Sequence, residues 1–280
     1  GWSRQALSSM SNYIPSAVAN IVAVPVQMSM DGQSPLESCG WEAVDIHSHG
    51  ENWSVVGEST QVLMAKLLSE QEVLTEPGGM MIHSSGIKPS MNMGGLWLGI
   101  RRAFCAGESC CRVQWKNHES QPKIMTIHPS FPSKVVPVNL DEFQGSMYMK
   151  RAAWMASLNT QLEFDIKMAP SCTAAWCAGQ GCCLTLVKGR GLTFLNVGGT
   201  VLKKTLRDGE KVFIDTSALV AWATTATISA ERAGNCCTIC CGGMGLANTT
   251  ITGPGVVYIQ SMSREKAAQG YMMAARANSK

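Results

Sequence analysis

The chain has 280 residues, 45% of them hydrophobic, enough to bury the core of one large or two ordinary domains. Only 15% of its residues are charged, against roughly 25% in an average globular protein, so the chain either hides much of its surface in partners, the favoured reading, or exposes an unusually neutral one. A net charge of +3 from 23 basic and 20 acidic residues, with no basic run interleaved with aromatics, excludes a nucleic-acid footprint. No stretch reaches the ~18 apolar residues needed to cross a bilayer as a helix. The best run, Ala17 to Val26, is short and interrupted by Asn20 and Pro25. Any contact with a membrane is expected from the side.

The chain opens on Gly1, which fits a cleaved targeting peptide or an ordinary truncation. Residues 1–52 carry Pro15, Pro25 and Pro35 and no clear periodicity, and read as an extension lying along a surface or partner. Within it, His47-Ser48-His49-Gly50-Glu51 would put both imidazoles on one strand face, as cupin metal sites do. The cupin pattern also needs a glutamate a few residues on and a later histidine. Position 53 is Trp53 and no histidine follows His128, so solvent-facing loop histidines are the better reading.

From Trp53 short apolar runs alternate with Gly, Pro, Asn and Asp. Val62–Leu67, a polar turn at residues 69–72, and Val73-Leu74 read as strand, turn, strand. A helix is expected over Leu96–Phe104. Val135–Leu140 and Ser146–Met149 flank a turn near Asp141-Glu142. Val201–Leu206 and Lys211–Asp215 flank Arg207-Asp208-Gly209-Glu210, and Asp-Gly between alternating apolar residues predicts a hairpin. Glycine-punctuated strands follow at Cys111–Trp115, Leu184–Leu195 and Ile251–Gln260, with Gly253 and Gly255 read as corner residues. Such spacing predicts an all-β sandwich or barrel. Ser263 then caps a helix running from Arg264 past Gly270 to Arg276. Its Tyr271, Met272 and Ala275 form an apolar stripe with Lys266, Arg276 and Lys280 around it. That stripe suits a tail docked on its own domain, a partner, or an anionic membrane surface.

Two markers recur together. Ala106-Gly107-Glu108-Ser109-Cys110-Cys111 returns as Ala178-Gly179-Gln180-Gly181-Cys182-Cys183 and, worn, as Gly242-Gly243-Met244-Gly245-Leu246-Ala247, at steps of 72 and 64 residues. Segments starting at Leu74, Met149 and Ile214 keep steps of 75 and 65. Three copies of one supersecondary unit follow, about 53–132, 133–199 and 200–262, with 263–280 a helical tail. The residues marking the repeats are Glu76, Pro77, Gly78, Gly107, Gly179, Asp215, Gly243, Gly253 and Gly255. The Gly242–Gly245 run lacks the strand-loop-helix context and the Lys-Ser or Lys-Thr of a phosphate loop. The twelve cysteines, mostly in adjacent pairs, read first as reduced core residues, which implies a reducing or organellar compartment. A metal site at Cys237-x-x-Cys240 or disulfides are the alternatives, the former lacking a second paired ligand set. No catalytic residues, cofactor or metal site emerge.

Leu74–Met81, Gly94-Gly95-Leu96 running into Arg101–Ser109, His128-Pro129 through Val135–Val138, Asp215–Ala221 and Thr252–Gln260 resemble, in order and spacing, the mitochondrial-biogenesis family named for altered inheritance of mitochondria, the twenty-fourth of that series. The resemblance covers about residues 53–262; the cysteine pairs depart from it, since the family more often has large apolar residues there. It implies an all-β fold of three similar β-sandwich or double-stranded β-helix-like repeats around a pseudo-threefold axis, with short helices, related to the tryptophan RNA-binding attenuation protein. It also implies an organellar role at an inner membrane in the assembly or upkeep of membrane complexes. The expected function is a non-enzymatic scaffold docked peripherally on such a complex, respiratory, cristae-organising or photosynthetic at a thylakoid. The alternatives are a small-ligand module, with Trp97, Trp154, Trp176 and Trp222 as apolar walls, and a cupin-like metalloenzyme.

Overall fold

The computed structural model describes residues 39–44, 48–92, 112–150, 152–158, 161–168, 183–232 and 247–278. Before residue 53, β1 (Trp41–Ala43) and β2 (His49–Gly50) are already strands, followed by β3 (Trp53–Val56). Three runs of six strands follow. The first is β4 (Val62–Leu67), β5 (Glu72–Thr75), β6 (Met80–His83), β7 (Ile87–Asn92), β8 (Arg112–Asn117) and β9 (Lys123–Ile127). The second is β10 (Lys134–Asn139), β11 (Ser146–Met149), β12 (Trp154–Ser157), β13 (Glu163–Met168), β14 (Cys183–Lys188) and β15 (Leu192–Val197). The third is β16 (Val201–Leu206), β17 (Lys211–Asp215), β18 (Leu219–Ala223), β19 (Thr227–Arg232), β20 (Ala247–Thr252) and β21 (Gly255–Gln260). A 3-10 turn occupies Leu140–Phe143, and α1 (Arg264–Asn278) is the one α-helix among the described residues.

Local pattern explains the strands. In β4, Leu63, Ala65 and Leu67 are buried while Met64 and Lys66 are exposed, the period-two signature of a sheet with one wet face. In β18 every residue of Leu-Val-Ala-Trp-Ala is buried, so that strand is covered on both faces.

Pairing is antiparallel throughout and follows one order in each run. The first strand pairs with the sixth: β4 with β9, β10 with β15, β16 with β21. The third also pairs with the sixth, through a register shift each time: β6 with β9, β12 with β15, β18 with β21. The fifth strand lies between the second and the fourth, as in β5-β8-β7, β11-β14-β13 and β17-β20-β19. Each run therefore splits into two three-stranded halves. The runs are joined where β5 pairs with β12 and β11 with β18. These joins make a six-stranded sheet, β10-β15-β12-β5-β8-β7, and a seven-stranded one, β1-β16-β21-β18-β11-β14-β13. The two remaining halves stay in separate sheets, β2-β3-β4-β9-β6 and β17-β20-β19.

The expected hairpin at Asp208-Gly209 is not formed. The turn is present, with Gly209 at φ +71° and the Glu210 N–H donating to Arg207 O at 3.1 Å. The strands it joins pair elsewhere, β16 with β21 and β1, β17 with β20. The turn is a corner between sheets. β4 and β5, and β10 and β11, are separated in the same way. Alternation and turn chemistry satisfy a corner as well as a hairpin, because both need only a tight reversal and one inward face. Likewise Ile251–Gln260 is two strands, β20 and β21, parted at Gly253-Pro254. The expected helix at 96–104 and the marker glycines Gly107, Gly179 and Gly243 lie outside the described residues.

Three apolar clusters fill the interior. One, with Leu63, Trp115, Met125 and Phe194, joins the first run to the second. Another gathers Leu74, Val136, Met147, Trp154, Phe164 and Val220 from all three runs. The third surrounds Trp222 with Leu184, Leu206 and Ile251. Trp154 and Trp222 are thus core residues. Aromatic edges lock the packing: Trp53 meets Phe194 at 5.2 Å and Trp154 meets Phe164 at 4.9 Å between centroids.

Two glycine positions separate conformation from crowding. A Cβ on Gly253 would lie 2.3 Å from Arg207 O, whereas Gly78 holds φ +81° with nothing within 4 Å. Gly253→Ala is expected to cost about 2–3 kcal/mol, and Gly78→Ala only about 1 kcal/mol, in denaturant unfolding. Phe194→Ala, which empties a fully buried site, is expected to cost about 3–5 kcal/mol in the same measurement.

Candidate functional site

The segments that join the second strand of each run to the third carry Glu76 and Asp215, two of the residues that mark the repeats, and Lys150. Each closes with one bond: Gly79 N–H to Glu76 O at 3.2 Å, Ala153 N–H to Lys150 O at 3.1 Å, and Ala218 N–H to Asp215 O at 2.8 Å. Glu76, Lys150 and Asp215 therefore hold the same place in their turns. This puts Thr75, rather than Leu74, in step with Met149 and Ile214, one residue away from the register read off the sequence. The carbonyl at the end of each turn is then bound by the sixth strand's exit, through the N–H groups of His128, Asn196 and Gln260.

The last of these turns is the root of α1. Ser263 is buried, and its Oγ accepts from the Lys266 N–H at 3.1 Å, the N-cap expected from the sequence. Lys266 Nζ donates to Asp215 Oδ2 at 2.5 Å. The other carboxylate oxygen of Asp215 accepts from the Ser217 N–H at 2.8 Å, an Asx turn that stiffens the corner. Burial works to raise the Asp215 pKa, but the bonds from Lys266 and Ser217 outweigh it and hold the carboxyl below its usual range. The ion pair is about half exposed on both sides, so it orients the helix more than it stabilises the fold.

Beneath the root lies Lys150, a buried cation that the sequence gave no reason to separate from its neighbours. Its Nζ donates to Thr216 O at 2.8 Å and Ser217 O at 3.4 Å. Lys150 thereby ties the turn of the second run to that of the third. Gln260 Nε2 donates to the same Ser217 O at 3.3 Å. Burial drives the Lys150 pKa down to about 8, against the attraction of Glu265 and Asp215. A narrow cleft here is lined by Phe131, Lys150, Asn196, Gln260, Arg264 and Glu265.

The other expected site residues are placed as follows. Glu76, Pro77 and Gly78 form the first turn, while Asp215 belongs to the root. Gly253 and Gly255 stand at the corner between β20 and β21, Gly255 at φ +150°. His49 is exposed on β2, and His47 lies outside the described residues. Among the described residues no group of three His, Cys, Asp or Glu side chains could hold a metal. Of the cysteine side chains only Cys39, which is exposed, is described. No described helix is long and apolar enough to cross a membrane.

Because the folded Lys150 pKa lies below its ordinary value of 10.5, the unfolded chain binds more protons between pH 8 and 10.5. Stability must rise with pH across that window through this group. The unfolding free energy of the wild type relative to Lys150→Met is expected to climb by about 1–3 kcal/mol from pH 7.5 to 10.5. A difference that is flat with pH would show Lys150 to be solvated.

Residues 53–262 match the family described as Mitochondrial biogenesis AIM24. No curated protein matches the chain. Among solved structures, the X-ray structure of protein SPYM3_0169 from Streptococcus pyogenes is similar, with a TM-score of 0.61 at 20% sequence identity over 79% of this chain and 98% of that one. At that identity the likeness speaks for the fold alone. The family match covers most of the chain and embraces all three runs of six strands, so the chain belongs to the Mitochondrial biogenesis AIM24 family.

Proposed function

We propose that the chain is a non-enzymatic accessory subunit that docks peripherally on a mitochondrial membrane protein complex and supports its assembly or upkeep. The observation that carries this reading is α1. From Arg264 to Ala277 only Ala267 is partly covered, and Tyr271, Met272 and Met273 are 68%, 55% and 68% exposed. A helix of 15 residues without a packed face is marginal in water, since helical stability in proteins comes mostly from tertiary packing. This one is nevertheless capped and aimed at its root. Methionine and tyrosine are adaptable contact residues, and here they are left for a partner.

Family membership supports the mitochondrial setting, and the low charge of the chain supports a covered surface. Within that setting the partner is a respiratory or cristae-organising complex of the inner membrane. The recurring strand order supports a body of three copies of one unit. That architecture would leave the docking to what stands outside it.

Gentle detergent extraction of membranes, followed by native gel separation, tests the proposal. The wild-type chain is expected to migrate with a large complex. A Tyr271→Glu, Met272→Glu, Met273→Glu variant is expected to keep its circular dichroism and melting temperature but to leave that complex. A wild type that migrates alone, or a variant that stays with the complex, overturns the reading.

A further inference from the structure

We propose that a second copy of this chain completes the sheet left divided in the first, with β17 of each copy pairing to β6 of the other. Inside one chain the second strand of a run pairs with the third strand of the next run twice, at β5–β12 and β11–β18. The third such contact would join β17, the second strand of the last run, to β6, the third strand of the first. Among the described residues neither strand has this partner; β6 ends one sheet and β17 ends another.

Both edges carry apolar side chains in water. Met81, Ile82 and Phe213 are 53%, 61% and 64% exposed. Among the strands, exposure of this kind is concentrated in the divided sheet. Its five-stranded half also shows Val56, Met64, Met80 and Ile124, whereas the seven-stranded sheet shows no large apolar residue and the six-stranded one only Met91, among the described residues. An edge strand with free N–H and C=O groups and apolar side chains is a template for strand addition unless charge or proline blocks it. β6 has neither; its residues are Met-Met-Ile-His. β17 carries Lys211 and Asp215 at its ends and Val-Phe-Ile between them.

The second copy is favoured because each chain owns both halves of the missing pair. Two copies facing each other therefore satisfy both edges at once, a closed two-fold arrangement that stops at the dimer. It repeats a contact the fold already makes twice, with the same strands of the unit in the same roles.

The experiment is analytical ultracentrifugation of the full chain over a concentration series. The wild type is expected to be dimeric. Ile82→Lys alone and Phe213→Glu alone are each expected to weaken self-association by about tenfold or more, because a charge is placed on a pairing edge. Mixing the two variants is expected to restore the dimer: one junction then sets lysine against glutamate, and the other has both native edges. A wild type that is monomeric throughout, single variants that dimerise as the wild type does, or a mixture that stays monomeric would each overturn the proposal. Since both sites are exposed, the variants should melt with the wild type; if Ile82→Lys does not, Met81→Lys on the same strand replaces it.

Discussion

The β body depends on the strand contacts that pass from one run of six to the next. Within a run, two three-stranded halves are formed by pairings that stay inside the run, and each half alone has little area to bury. Where β5 meets β12 and β11 meets β18, two halves from different runs become one sheet. Side chains cross the same joins. Arg112 at the start of β8 lays its guanidinium 3.7 Å from the centroid of Phe164 and 4.9 Å from that of Trp154, both in the second run. Leu74 of the first run and Val220 of the third pack into one cluster with the second. The middle run is thus held from both sides, while the first and third each keep one free edge.

The polar interior follows the same logic. A lysine buried at the depth of Lys150 is costly unless its protons are bonded, and two carbonyls of the following turn receive them. The arrangement adds to the bonds that Asp215 and Gln260 already make to this turn. It also gives α1 a firm base, because Asp215, Ser217 and Gln260 are aligned by the same corner. The helix itself is then free to be exposed. Rigidity at the root and openness along the shaft suit an element whose binding partner is elsewhere.

Much of the strand content was legible from residues alone, since short apolar runs such as Val62–Leu67 are bounded by polar turns and glycines mark the corners. The Ser263 cap was equally plain, because capping is decided by a few adjacent residues. Pairing was less visible. Arg207–Glu210 looks the same whether the flanking strands pair or part, and the choice is made by β20 and β21, some forty residues on. Lys150 was hidden for a similar reason: nothing near it in the chain announces that carbonyls of residues 216 and 217 will enclose it. The exposed edges of β6 and β17 follow from what the third sheet lacks, which only the complete pairing order reveals.

Hydrogen exchange followed by mass spectrometry on the dilute chain tests the central claim, that two joins between runs are made and one is left open. The account predicts the slowest exchange in β5, β12, β11 and β18, which are paired on both sides, and markedly faster exchange in β6 and β17. Equal protection of β6 and β17 in a dilute, monomeric sample would mean that the chain closes its third sheet by itself. That result would contradict the account.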